Sequence, residues 1–231
     1  LESTEKMTIE HFANIGGEQA GAMFDALGSD QVLELGGEQV AGIFSAMGSE
    51  QLSELGGSTV ADAIVSMGVD KAVDMGAGNI AEVVGSLEIG DMSTVGGEVL
   101  VDLAGAMTGE ALAGMSSDAV GAMVETMGAD AALAGMGGEQ LGGMLGAMEA
   151  GQIGEAFTDQ ALTDAAGKMT GDDAKGLDGD SAAVMLEAVI TVMEPGEVGN
   201  KGSAVDAGIV AGMLGSMDAS QVQDAITPEI A

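Results

Sequence analysis

The densest set of groups able to do chemistry is a run of carboxylates, Asp172, Asp173, Asp178 and Asp180, interleaved with glycines. Oxygen ligands of this kind suit Ca²⁺, but the order D-D-x-x-x-x-D-G-D departs from the ligand spacing of an EF-hand loop. Two readings stay open, a bound Ca²⁺ and a solvated acidic loop. The single histidine, His11, stands beside Phe12 in an amphipathic stretch and reads as a packing or surface residue. There is no Cys, Tyr or Trp, and the five basic residues are all lysines. The other carboxylates recur singly instead of converging in a pair, so no acid–base dyad emerges and the chain does not read as an enzyme. Gly-Gly steps such as GGEQ have neither the setting of a dinucleotide loop nor a Walker lysine. No cofactor is implied, calcium or other divalent counterions aside.

The elements that carry these residues follow from one 20-residue unit written repeatedly. Repeats 1 to 10 begin at Ile15, Leu35, Leu55, Met75, Val95, Met115, Met136, Phe157, Leu177 and Val205, with single-residue slips at Gly135, Ala156 and Ala225. A fixed period in this range marks a repeat architecture. Position 1 is apolar in every repeat, as are positions 6, 9, 10 and 13 in Val40, Ile43, Phe44 and Met47 of repeat 2. Spacing of i, i+3, i+4 and i+7 is one face of an α-helix, not the alternation of a strand. Each repeat therefore predicts a helix of about ten residues over positions 4 to 13, a break, and a shorter helix over positions 15 to 20.

The punctuation fits this reading. Position 2 is mostly glycine (Gly36, Gly56, Gly76, Gly96, Gly137), suited to a left-handed C-cap, or a helix starter such as Ser116, Thr158 and Asp178. Acidic residues collect at position 4 (Glu38, Glu98, Asp118, Glu139) and position 16 (Asp70, Glu110, Asp130), the first turns of the two helices, where they oppose the helix dipole. Helices this short are marginal alone and need neighbours. Stacking would bury a seam of positions 1, 6, 9, 10, 13 and 18, giving an all-α solenoid whose stability is a sum over nearest neighbours. Position 13 is nearly always Met, including Met67, Met107, Met148, Met169, Met193 and Met217; spread along a stack, these fill gaps in a core and do not form a metal box.

The pattern reads as one array over 1–231, with an atypical long repeat at 177–204 whose helix, Asp180 to Glu194, runs one turn longer than its siblings. Half-repeats lie at 226–231 and 1–14. Joined head to tail they read ITPEIALESTEKMTIEHFAN, in phase with the rest, which predicts a self-assembly interface built from Leu1, Met7, Phe12, Ile226, Pro228 and Ile230. The weak point is Ser3 and Thr4, which fall at positions that are apolar elsewhere. The expected partner is therefore the chain itself, as a head-to-tail homopolymer or as tandem copies in a giant polypeptide.

Charge narrows the rest. Thirty-eight Asp and Glu against five Lys leave a net charge of −33, which excludes nucleic acid as a partner for want of a basic face. Anionic membranes are disfavoured for the same reason, and the sequence has no run of 18 apolar residues that could span a bilayer. Self-repulsion on this scale implies a need for counterions.

Segments such as GGEQVAGIFSAMGSEQLSELGG resemble the short-helix superhelices of the cytoplasmic N domain of the MgtE magnesium transporter and, more loosely, armadillo-like arrays. The resemblance implies an α-solenoid and carries over no functional residue. Three roles compete: a structural filament at the cell surface or outside the cell, an acidic scaffold for protein partners, and a sink for metal ions. Regular repeats and matching ends favour the first.

Overall fold

The computed structural model describes Gln19, Ala22, Ala26, residues 37–47, Leu52, residues 55–193 and residues 205–226. Among them the regular structure is helical and no strand forms. The chain packs as two compact units, Leu1–Met107 and Thr108–Ala231. The first holds α1 (Gly37–Ala46), α2 (Gly57–Met67), α3 (Val69–Val73), α4 (Ala77–Gly85), α5 (Ile89–Val95) and α6 (Gly97–Ala106). The second holds α7 (Gly109–Ala113), α8 (Ser117–Met127), α9 (Ala129–Gly135), α10 (Gly138–Ala147), α11 (Ala150–Ala156), α12 (Asp159–Lys168), α13 (Gly171–Lys175), α14 (Gly179–Val192), α15 (Ala207–Ser216) and α16 (Ala219–Ile226).

Repeats 3 to 8 and repeat 10, the ones described throughout, each give the expected long and short helix. The long helix starts one residue earlier than the apolar pattern indicates, at position 3, and where position 2 is Ser or Thr its side chain caps it: the Ser116 and Thr158 hydroxyls accept from the N–H groups of Ala119 and Ala161, each at 3.2 Å. The seam is buried as its spacing requires. In repeat 3 Leu55, Val60, Ala63, Ile64, Met67 and Ala72 are all at most 5% exposed, and repeats 5, 7 and 8 bury the same six positions.

Three details differ from the sequence reading. Gly76 and Gly96 do have positive φ, but with ψ near 150° they lie outside the left-handed helical basin; Gly56 and Gly137 are simply extended. Their task is to turn the chain into the next long helix, not to end the previous one with a left-handed cap. The long helix of repeat 9, α14, has 14 residues but stops at Val192, so Met193 lies past its end, and fully buried Val189 takes the place assigned to Met193.

The third difference concerns which repeats touch. Long helices meet the short helix of the next repeat, as α8 meets α11 and α10 meets α13. The most extensive packing in the second unit, however, reaches two repeats along, with α7 on α10 and α13 on α15; in the first unit α3 also meets α6, though less extensively than α2 meets α5 of the next repeat. Nearest-neighbour stacking is thus incomplete as a description. Glycines make the longer reach possible, since a Cβ on Gly143 would collide with the Gly109 carbonyl and one on Gly212 with the Gly171 carbonyl. Backbone groups come into contact there, as only residues without side chains allow.

Candidate assembly interface

The four clustered aspartates are distributed among separate local tasks. Asp172 pairs with Lys175 at 2.8 Å, and the hydrogen bond from that ammonium, reinforced by its charge, holds the Asp172 carboxyl below the usual range. Asp173 Oδ2 accepts from both the N–H and the hydroxyl of Thr170, closing a capping box at the start of α13. Asp178 caps α14 by accepting from the N–H groups of Asp180 and Ser181. Asp180 accepts from Gln221 at 2.6 Å. Among the described residues no three His, Cys, Asp or Glu side chains converge as metal ligands. A depression of about 390 Å³ beside Met127, Gly128, Asp130, Ala156 and Thr158 holds one carboxylate and one hydroxyl, with no base or nucleophile paired to them.

What the side chains do build is a set of joints between repeats. The first is at position 17. Gln152 Nε2 donates to the Ser117 carbonyl at 3.3 Å, Gln221 Nε2 donates to Asp180 Oδ1 and Lys71 pairs with Glu38 at 3.5 Å. In each case position 17 of one repeat reaches the first turn of the preceding repeat's long helix. Both glutamines also cap their own short helix: Gln152 Oε1 accepts from the Glu149 N–H at 2.8 Å and Gln221 Oε1 from the Asp218 N–H at 2.7 Å. One amide thus ties two helix starts together. Sequence reasoning missed this position, although its recurrent Gln, Asp and Lys (Gln51, Lys71, Asp91, Gln152, Gln221) mark a polar column next to the apolar position 18.

The second joint spans two repeats and uses positions 5, 8 and 12 of a long helix. Ser181 Oγ donates to the Met148 carbonyl at 3.3 Å, just ahead of α11. Lys168 Nζ donates to the carbonyls of Leu133 and Met136 at the end of α9, and Ser216 Oγ to those of Ala174 and Lys175 at the end of α13. These donors satisfy carbonyls that a helix end leaves without partners. Between them lie the Gly109–Gly143 and Gly171–Gly212 approaches at position 8. Position 4 adds a further bond, from the Gly109 N–H to Glu139 Oε1 at 3.1 Å.

Of the residues expected at a head-to-tail interface, Ile226 ends α16 and is 53% exposed. Leu1, Met7, Phe12, Pro228 and Ile230 lie outside the described residues, as does His11. Repeat 10 differs from those before it in one respect. Its seam residues Val210, Leu214, Met217 and Val222 are half-buried, whereas in repeats 3, 5, 7 and 8 every counterpart is buried. No helix among the described residues is long and apolar enough to cross a membrane. No family model, curated protein or solved structure matches the chain.

Proposed function

We propose that this chain is a structural repeat protein, a stretch of α-solenoid that lengthens into a filament by adding further copies of its own repeat. The observation that carries this reading is the half-open seam of repeat 10, where Val210, Leu214, Met217 and Val222 keep the apolar pattern of an interior repeat without its burial. α15 (AGIVAGMLGS) carries no charged residue on any face, so this seam is apolar throughout. The side chains engaged between repeats are caps and small residues, which suits a role in which the protein's main partner is itself. A net charge of −33 would keep such filaments apart laterally while their apolar ends join.

Sedimentation and electron microscopy across a concentration series test this. End-to-end oligomers growing with concentration, and lost in Met217→Asp without loss of helix content, are expected. A protein that stays monomeric at all concentrations, or a Met217→Asp variant that assembles as well as the parent, would overturn it.

A further inference from the structure

The eighteen methionines are the main oxidisable side chains of this protein, which has no Cys, Trp or Tyr. Most of those described are sealed in the core, Met92, Met123, Met144 and Met185 at 0% exposure among them. Met75 and Met115 differ. Each stands at position 1 of its repeat, where Leu55, Val95, Met136 and Leu177 are at most 5% exposed, yet both are half-buried. We infer that Met75 and Met115 are modification sites, at which hydrogen peroxide oxidises the folded chain to methionine sulfoxide while the buried methionines stay reduced.

The reaction needs a sulfur that peroxide can reach. The thioether lone pair attacks one peroxide oxygen, an S–O bond forms as the O–O bond breaks, and the departing hydroxide takes the proton of the transferred oxygen to leave as water. Sulfur is oxidised by two electrons and the peroxide is reduced by two. The new oxygen is a polar acceptor, which water can satisfy at a half-buried position; at Met92 or Met185 it would be enclosed without a donor. The backbone at the two sites is held independently of the side chain. Met75 lies between α3 and α4, where its N–H donates to the Ala72 carbonyl and its own carbonyl accepts from Asn79 Nδ2 at 3.1 Å. Met115 lies between α7 and α8, where its N–H donates to the Leu112 carbonyl and the neighbouring Ser116 hydroxyl caps α8. Neither residue interrupts a helix, so the oxidised side chain can turn toward water and leave the helices in place. Met193 and Met217 are half-buried as well, the second on the seam assigned above to assembly, whereas the reactivity of Met75 and Met115 does not rest on that reading.

Hydrogen peroxide added to the native protein, with each sulfoxide located by peptide mass spectrometry, tests this. Met75 and Met115 should gain oxygen about tenfold faster than Met92 and Met185, or more, with helix content unchanged, and the difference should vanish in urea. Equal rates in the native protein, or oxidation that proceeds only as helix content falls, would overturn the inference. The double variant Met75→Leu/Met115→Leu, close in volume to the parent, should keep its helix content and consume about two fewer equivalents of peroxide per chain before the buried methionines react. Unchanged consumption by this variant would overturn it likewise.

Discussion

Gln221 holds two repeats with one amide: its Nε2 donates to Asp180 Oδ1 at 2.6 Å at the start of α14, and its Oε1 accepts from the Asp218 N–H at 2.7 Å at the start of α16. The same residue therefore serves local helix capping and the spacing between neighbouring repeats. Gln221→Glu keeps the cap acceptor but removes the donor and brings a second carboxylate against Asp180. A loss of about 1 kcal/mol is expected. Asp180→Asn in the same chain should restore most of it, so a double-mutant cycle by urea denaturation isolates the pair. Additive effects would mean the two residues do not interact.

Glycines in this chain divide into those that must be glycine and those that need not. Gly143 faces the Gly109 backbone, so Gly143→Ala should cost about 1–3 kcal/mol by forcing α7 and α10 apart. Gly154 is exposed in α11 with nothing near its missing Cβ, and Gly154→Ala should raise stability by about 0.5–1 kcal/mol. Thermal melts of opposite sign are the expected outcome; equal shifts would deny the close approach.

Gly128 has φ +81° and ψ 141° between α8 and α9, a conformation essentially reserved for glycine. Gly128→Ala is expected to lower stability by about 1–3 kcal/mol although the site has open space around it. A melt superimposable on that of the parent would show that the turn can relax.

Salt should stabilise the protein. Repulsion within a chain of net charge −33 is screened over about 8 Å at physiological ionic strength and over longer distances at lower salt, so added salt weakens it. The melting temperature is expected to climb as NaCl is added from low ionic strength. A flat response would leave self-repulsion without weight in this fold.

Acid should weaken the start of α16 selectively. The hydrogen bond from the Ser220 hydroxyl, and then that from the Gln221 N–H, hold the Asp218 carboxyl below its usual value of 3.8. A carboxyl depressed in the folded state adds stability above its unfolded value and loses it as pH falls through the folded one. The stability difference between the parent and Asp218→Ala should therefore be full at neutral pH and shrink below pH 3.8. A difference that stays constant to lower pH would separate the cap from the charge.

How far the sequence alone reaches can be judged at particular residues. The helical spacing of Val60, Ile64 and Met67, and of their counterparts in each repeat, determines the helices and the face each one buries, because a 3.6-residue period can place those side chains together only on a helix. Caps such as Ser116 and Thr158 are local and equally legible. The acidic run at Asp172–Asp180 shows the limit. Composition groups four carboxylates, while the backbone divides them between the starts of α13 and α14, where Asp172 meets Lys175, Asp173 meets Thr170, Asp178 caps α14 and Asp180 meets Gln221. Only the tertiary structure decides that Gly109 meets Gly143 and that Gln152 reaches Ser117, since contacts 34 and 35 residues apart depend on how successive repeats rotate about one another. That rotation is set by the volumes packed between helices, which a periodic pattern of apolar residues leaves open.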